Sequence, residues 1–183
     1  VPMELPLAAL AAYCFWLARS VTGRRGFALY TLSGAWLGLS INAYTAARIL
    51  PAVFVAFGLY VALWHRETLG DWWRGIGTTL LVAAIVALPL VVYLLRYPGS
   101  DQLSFFDIDR PLVELREGNV GLVTETSLRT LGMFAFVGDP LPYFDVPGRP
   151  ILEPIGAVLL TVGLLIALRR WRQPEYAFAL LWF

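Results

Sequence analysis

The stretch Leu39–Pro51, which reads LSINAYTAARILP, places polar residues and one arginine between two apolar runs. The runs 27–40 and 49–64 are each apolar enough to enter a bilayer. An arginine at the centre of a membrane costs roughly 2.5 to 3.5 kcal/mol, so Arg48 is expected to reach an interface or to meet an anion. The sequence therefore predicts a helical hairpin with Arg48 as the first candidate functional residue.

The composition is typical of an integral membrane protein. Of the 183 residues 58% are hydrophobic, and the 15% that are charged fall well below the roughly 25% of soluble domains. The apolar runs lack the alternation of a barrel, and unpaired backbone groups are costly in lipid. We therefore expect an all-α protein, a multi-span transmembrane helical bundle with a partly helical extracytoplasmic loop.

The predicted organisation has three parts. Residues 1–95 and 154–183 form transmembrane helices, and residues 96–153 form an extracytoplasmic loop with surface helices at 112–117 and 120–137. The predicted spans are about 3–18, 27–45, 49–64, 76–95, 155–168 and 176–183. The last span is truncated by the end of the chain, and the chain begins with Val1 rather than Met, so we expect a fragment of a longer protein.

The arginines orient this bundle. Three of them lie within residues 19–26 and three within 169–172, with no acid in either segment. Loops rich in arginine stay on the cytoplasmic side, which places 19–26 and 169–173 inside. The loop 65–75 has no net charge and is placed inside by the order of the spans. The long segment 96–153 has five arginines against nine acids and is expected outside. The predicted location is the cytoplasmic (inner) membrane, as a multi-pass protein.

Several classes of soluble chemistry are excluded. The sequence has no glycine-rich phosphate loop, no CxxC and no HExxH motif, and its arginines lie at span ends rather than in a nucleic-acid-binding patch. Cys14 lies in an apolar run and is interpreted as a small apolar residue. His65 is interpreted as interfacial rather than as a ligand. Trp64, Trp72 and Trp73 are typical of an aromatic belt at a membrane interface.

The polar residues of the central turn allow two interpretations. Arg48 could be an anchor that extends to lipid head groups, with Tyr44 in the aromatic belt. Alternatively, Arg48 binds the phosphate of a lipid-linked donor, because its planar guanidinium matches phosphate oxygens, and Tyr44 and Asn42 add neutral hydrogen bonds.

Three further residues are weaker candidates. Arg96, at the end of the 76–95 span, could bind the same anion or only extend to the interface. Asp107 and Asp109 could act as a carboxylate pair or hold a divalent metal. Two carboxylates without a third ligand are a weak metal signal, so a loop-stabilising pairing with Arg110 is favoured and no metal site is predicted.

A family resemblance extends over nearly the whole chain. It is carried by 38–51 (GLSINAYTAARILP), 89–98 (PLVVYLLRYP), Gly138-Asp139, 146–154 (VPGRPILEP) and 169–171 (RRW). Taken together, these segments resemble the later spans of bacterial GT-C glycosyltransferases, relatives of the aminoarabinose transferases and protein O-mannosyltransferases.

The resemblance implies transfer of a sugar from a polyprenyl-phosphate donor to an acceptor outside the membrane. In that family the catalytic carboxylate lies in the first external loop, which would precede Val1, so no acid of this chain is expected to be catalytic. Tyr44 and Arg48 match the family's Tyr-Thr-x-x-Arg pattern, facing the cavity for the lipid donor. The lipid-linked donor and membrane lipid are the implied partners. No cofactor is implied with certainty, although a divalent metal is possible.

Two other functions remain open. The chain could be a segment of a transporter or flippase with Arg48 in the substrate path, for which discontinuous helices are expected. It could also be a structural membrane module of a larger assembly. An acid after the first span of the upstream sequence would support the transferase, and an inverted repeat would support the transporter.

Overall fold

The computed structural model describes residues 4–97, 110–136 and 150–183, and over these ranges the protein is helical and has no strand. This confirms the all-α prediction. The helices of these ranges are α1 (Glu4–Arg19), α2 (Arg24–Ala43), α3 (Leu50–Trp64), α4 (Leu69–Arg96), α5 (Arg110–Arg116), α6 (Gly121–Ala135), α7 (Pro154–Arg169) and α8 (Pro174–Trp182). Short 3₁₀ turns at Ala46–Ile49 and Arg66–Thr68 precede α3 and α4.

The helices belong to two compact units. Unit 1 contains α1 to α4 together with α8, and unit 2 contains α5 to α7. The last two predicted spans, which correspond to α7 and α8, therefore fall in different units.

In unit 1, α1 and α2 are antiparallel. The buried Ser33 hydroxyl on α2 donates a hydrogen bond to the Ala11 carbonyl oxygen on α1 at 2.7 Å. Near the N-terminal end of α2, Gly26 lies close to the Ala18 carbonyl near the C-terminal end of α1. Residue numbers thus fall on one helix as they rise on the other, as the short turn between the two helices requires.

In contrast, α2 and α4 are parallel and pack closely. A β-carbon added at Gly34 would lie 2.5 Å from the Thr79 carbonyl oxygen, and one added at Gly38 would lie 2.6 Å from the Val86 β-carbon. The two glycines are four residues apart, so they share one helix face and let the backbones approach. The C-terminal ends of α2 and α4 consequently lie at the same end of unit 1.

An aromatic core joins α1, α3, α4 and α8. Phe15, Phe54 and Phe57 have no exposed surface, and the Phe57 ring centroid lies 5.0 Å from that of Trp72 and 5.1 Å from that of Phe178. Aromatic pairs at these separations are worth about 0.5 to 1.5 kcal/mol beyond the burial of their area. This core holds α8 against α3.

Trp72 corrects one sequence prediction. We expected Trp64, Trp72 and Trp73 to form an interfacial belt, but Trp72 is only 3% exposed, whereas the other two are 51% and 67% exposed. Adjacent residues on a helix point about 100° apart, so Trp72 enters the core while Trp73 faces outward.

In unit 2, α5 and α6 form a helical hairpin, and the surface helices predicted at 112–117 and 120–137 correspond to them. The turn contains Gly118 at φ 85° and Asn119, whose side chain bonds the Glu114 carboxylate at 2.7 Å and the Gly121 backbone N–H at 3.0 Å. The chain before α7 bonds back to α6, since the Ile151 N–H donates to the Met133 carbonyl oxygen at 3.0 Å.

Two helical segments of the described chain are long and apolar enough to cross a membrane. They are Ala46–Trp64, of 19 residues, and Arg66–Arg96, of 31 residues, which contain 18-residue windows of mean hydropathy 2.0 and 2.5, respectively. The sequence analysis expected more spans. The apolar helices at Pro6–Arg19 and Pro154–Arg169 are shorter than the roughly 20 residues that a span needs. Helix α2 has 20 residues but begins with two arginines and buries two serines.

Candidate functional site

The central turn of the sequence forms the link between α2 and α3. Tyr44 ends α2 in an extended conformation, and its N–H still donates to the Ser40 carbonyl oxygen at 3.1 Å. The Ala47 and Arg48 N–H groups then donate to the Tyr44 and Thr45 carbonyl oxygens, at 3.2 and 3.1 Å, which closes a 3₁₀ turn. Pro51 lies in the first turn of α3, where a missing N–H costs nothing. The sequence thus stops one apolar helix and starts the next within a few residues.

Arg48 lies in the last turn of this 3₁₀ segment and is half-buried. Its Nε atom is shielded from solvent, and the preceding residue, Ala47, is 7% exposed. A guanidinium in such surroundings is partly removed from water, which strengthens its interaction with an anion.

Tyr44 is 43% exposed, so its side chain is accessible at this end of unit 1. It lies one helical turn before Arg48 in sequence, on the same link. The structure therefore brings the two residues of the Tyr-Thr-x-x-Arg pattern onto one short turn.

Asn42, which is predicted to assist phosphate binding, directs its side-chain amide to backbone carbonyls in this structure. Its Nδ2 donates to the Gly38 carbonyl oxygen at 2.8 Å and to the Val86 carbonyl oxygen on α4 at 3.2 Å. One bond thus lies within α2 and the other joins α2 to α4, and the amide would have to leave these carbonyls to donate to a phosphate. In this arrangement Asn42 fixes the C-terminal end of α2 to α4.

Arg96 lies in the last turn of α4 and is exposed. Because α2 and α4 are parallel, it shares its end of unit 1 with the Tyr44–Arg48 turn. Asn42 lies level with Val86, and the ten residues from there to Arg96 add about 15 Å along the helix. Arg48 and Arg96 therefore lie at the same end of unit 1 but at different levels along the helix axes.

The aspartates of the sequence analysis, Asp107, Asp109 and Asp139, lie outside the described residues. Within the described residues, no group of three or more His, Cys, Asp or Glu side chains is placed to hold a metal ion.

The opposite end of unit 1 is strongly basic. The Arg19 guanidinium lies 3.8 Å from the centroid of the Trp72 ring, which joins the α1–α2 turn to the start of α4. His65, after α3, reaches the Arg172 carbonyl oxygen before α8 at 2.9 Å. Three turns thus meet here, and their charged residues are Arg19, Arg24, Arg25, Arg66, Arg74, Arg170 and Arg172 with the acids Glu67, Asp71 and Glu175. Seven arginines against three acids leave this end with a charge of +4.

The turn Leu63–Thr68 at the basic end is a feature that the sequence analysis missed. It lines a cavity of about 410 Å³ and contributes a cation, an anion, an imidazole and a hydroxyl group to it. The sequence indicates this turn by the change from an apolar helix to the polar tetrapeptide His65-Arg66-Glu67-Thr68. The sequence analysis predicts only the end of a span there.

No family model, curated protein sequence or solved structure matches the chain.

Proposed function

We propose that the chain is part of an integral-membrane glycosyltransferase of GT-C type, which transfers a sugar from a polyprenyl-phosphate-linked donor to an extracytoplasmic acceptor. The proposal combines the resemblance of the sequence segments with the surroundings of Arg48. In it, the Tyr44–Arg48 turn holds the donor phosphate, and no acid of this chain serves as the catalytic carboxylate.

The half-buried Arg48 is the observation that carries this proposal. A guanidinium keeps its charge in an apolar environment and offers a planar fork to phosphate oxygens. The donor is a lipid, so its phosphate arrives at the end of an apolar helix, which is where Arg48 lies. Tyr44, exposed one turn away, offers a neutral hydroxyl to the same ligand.

The membrane location has its own support. Large apolar side chains are exposed along the two candidate spans, including Leu59 at 61%, Leu81 at 63% and Ile85 at 61%. Such surface is costly in water and is expected where lipid covers the helices. We propose a multi-span bundle in the cytoplasmic membrane, with the basic end inside and the Tyr44–Arg48 turn outside.

Arg48→Ala in the full-length enzyme tests the phosphate assignment. A charge-assisted contact is worth roughly 1.5 to 3 kcal/mol, so the KM for the lipid-linked donor should rise about ten- to a hundredfold. Arg48→Lys should recover part of this loss, because it keeps the charge but not the fork. Donor KM and melting temperature are measured on the same preparations.

Arg24→Ala is the matched control, since Arg24 is an exposed arginine at the opposite end of unit 1. Its donor KM should equal that of the wild type. If Arg48→Ala lowered the melting temperature but left the KM unchanged, Arg48 would be a structural anchor and the phosphate assignment would fail.

The orientation can be tested by cysteine labelling in a background where Cys14 is replaced. Thr22 and Glu117 suit this test, because both are exposed and neither has the positive φ of the neighbouring Gly23 and Gly118. An impermeant thiol reagent should label Glu117→Cys in whole cells and label Thr22→Cys only after lysis. The reverse pattern would overturn the orientation.

A further inference from the structure

A cavity opens beside the turn between α3 and α4 at the basic end of unit 1. Its volume of about 410 Å³ lies in the range of small-ligand sites, roughly 300 to 1,000 Å³. It is lined by Leu63, Trp64, His65, Arg66, Glu67 and Thr68. The proposed donor site, at Arg48, lies at the other end of α3, so this cavity is separate from it.

The position of the cavity indicates which ligands can reach it. The turn joins Ala46–Trp64 to Arg66–Arg96, the two segments that are long and apolar enough to cross a membrane. If both cross, the turn between them lies at the level of the lipid head groups. This step rests on the membrane location proposed above and not on the transferase activity.

An apolar stripe leads along α3 to the cavity. Val55, Leu59 and Leu63 recur every four residues and therefore share one helix face. They are 49%, 61% and 58% exposed, and Leu63 also lines the cavity. A ligand with a polar head at the turn and a hydrocarbon chain along α3 fits this combination.

The polar groups of the cavity have opposite charges and are available. The Arg66 Nε donates to the Ala62 carbonyl oxygen at 3.1 Å, which restrains the stem of the side chain. Neither its terminal nitrogens nor the Glu67 carboxylate makes a hydrogen bond or ion pair with a residue that the structure describes. A cation and an anion, adjacent in sequence and not bonded to each other, therefore line one small cavity.

His65 holds the wall of the cavity in place. Its Nε2 lies 2.9 Å from the Arg172 carbonyl oxygen, which can only accept, so Nε2 carries the hydrogen. The Tyr60 hydroxyl donates to the Trp171 carbonyl oxygen at 3.0 Å and lies 3.1 Å from the same Nε2. These bonds fasten the turn to the segment before α8 and pre-organise the site.

We propose that this cavity binds a phospholipid whose head group carries both a phosphate and a primary ammonium, as phosphatidylethanolamine does. Arg66 binds the phosphate, Glu67 accepts hydrogen bonds from the ammonium, and an acyl chain lies on Val55, Leu59 and Leu63. A head group with only negative charge is disfavoured by Glu67. A trimethylammonium group, as in phosphatidylcholine, has no N–H to donate.

The test measures lipid binding to the full-length protein in detergent by native mass spectrometry. Phosphatidylethanolamine, phosphatidylglycerol and phosphatidylcholine with identical acyl chains are compared, without sugar donor. The ethanolamine lipid should bind roughly tenfold more tightly than the other two, the value of one charge-assisted hydrogen bond. Equal binding of all three, preference for phosphatidylglycerol or phosphatidylcholine, or no binding would overturn the proposal.

Substitutions assign the two charges. Glu67→Gln should reduce the affinity for phosphatidylethanolamine to that for phosphatidylcholine without weakening phosphatidylglycerol binding. Arg66→Gln should weaken binding of all three lipids. Both residues are exposed, so the lipid-free melting temperature should stay within a few degrees of the wild type.

Glu125→Gln and Arg129→Gln are the matched controls, because these residues form an exposed ion pair at 2.7 Å on α6. Neither should change lipid affinity. An unchanged ethanolamine preference in Glu67→Gln would refute the site. Because sugar transfer is not measured, this result is independent of the Arg48 experiment.

Discussion

The two ends of unit 1 both contain arginine, but in different surroundings. At the basic end, seven arginines from three turns are exposed and share their end with three acids. At the opposite end, Arg48 is half-buried in a turn between apolar helices. Exposed charges of the first kind are screened by water and salt and suit orientation at a membrane surface, whereas a partly desolvated charge favours a specific counter-ion. Burial, rather than the number of arginines, distinguishes the two ends.

The largest expected effect comes from separating α2 and α4. Their parallel packing places the Tyr44–Arg48 turn and the arginine-rich turns at opposite ends of unit 1. Gly38→Val would place new atoms within 3 Å of Val86 and the Ala83 carbonyl oxygen. Overpacking of this kind costs about 1 to 3 kcal/mol, which corresponds to a fall in melting temperature of several degrees. Thermal unfolding of the purified full-length protein measures it.

Gly77→Ala is the control for this substitution, since a β-carbon at Gly77 meets nothing within 4 Å. Alanine is the better helix former, so the melting temperature should hold or rise. An equal loss of stability in both variants would mean that α2 and α4 do not pack through Gly38.

An intermediate effect is expected at the end that contains Arg48. Asn42→Ala removes the bonds to Gly38 and Val86, each worth about 0.5 to 1.5 kcal/mol, and the higher helix propensity of alanine offsets part of the loss. We expect a fall in melting temperature of about 2 to 4 °C. If Asn42 only fixes α2 to α4, the donor KM changes little. A tenfold rise in KM without loss of stability would instead support Asn42 as a ligand.

The smallest effect is expected at the basic end. Arg19→Gln removes the guanidinium above Trp72, an interaction worth about 0.5 to 1 kcal/mol at an exposed site. The melting temperature should fall by about 1 to 3 °C. Arg24→Gln, in the same turn but with no such ring contact, should leave it unchanged. Identical melting temperatures for the two variants would mean that the contact between Arg19 and Trp72 does not stabilise the fold.

Most of the helical architecture was predictable because apolar runs and their polar breaks set helix limits directly. The predicted helix 27–45 corresponds to Arg24–Ala43, and 49–64 to Leu50–Trp64. Larger errors arose at polar ends, where α4 begins at Leu69 instead of residue 76 because polar residues also continue a helix. The α1–α2 and α3–α4 turns were predicted to lie at one end of the helices, because short turns join helices that run in opposite directions.

The particular partners of side chains were not predictable. Trp72 and Trp73 are adjacent and chemically identical, and their opposite burial depends on how α4 is rotated against α1 and α3. Asn42 could equally well have faced a ligand, since only the parallel packing of α4 brings the Val86 carbonyl within reach. The cavity beside Arg66 and Glu67 likewise depends on tertiary structure, because its wall is held by the distant segment before α8.

The contribution of α8 to unit 1 has a consequence for biosynthesis. Phe178 completes the packing around Phe54 and Phe57, yet it is made 82 residues after Arg96, the last residue of α4. At about 5 to 20 residues per second, a ribosome needs roughly 4 to 16 s to bridge that interval. During this time the aromatic face of α3 is packed by α1 and α4 but lacks Phe178 of α8. A chain released before Pro174 should leave that face without this contact, and crosslinking from Phe57 in stalled chains of increasing length should report when α8 covers it.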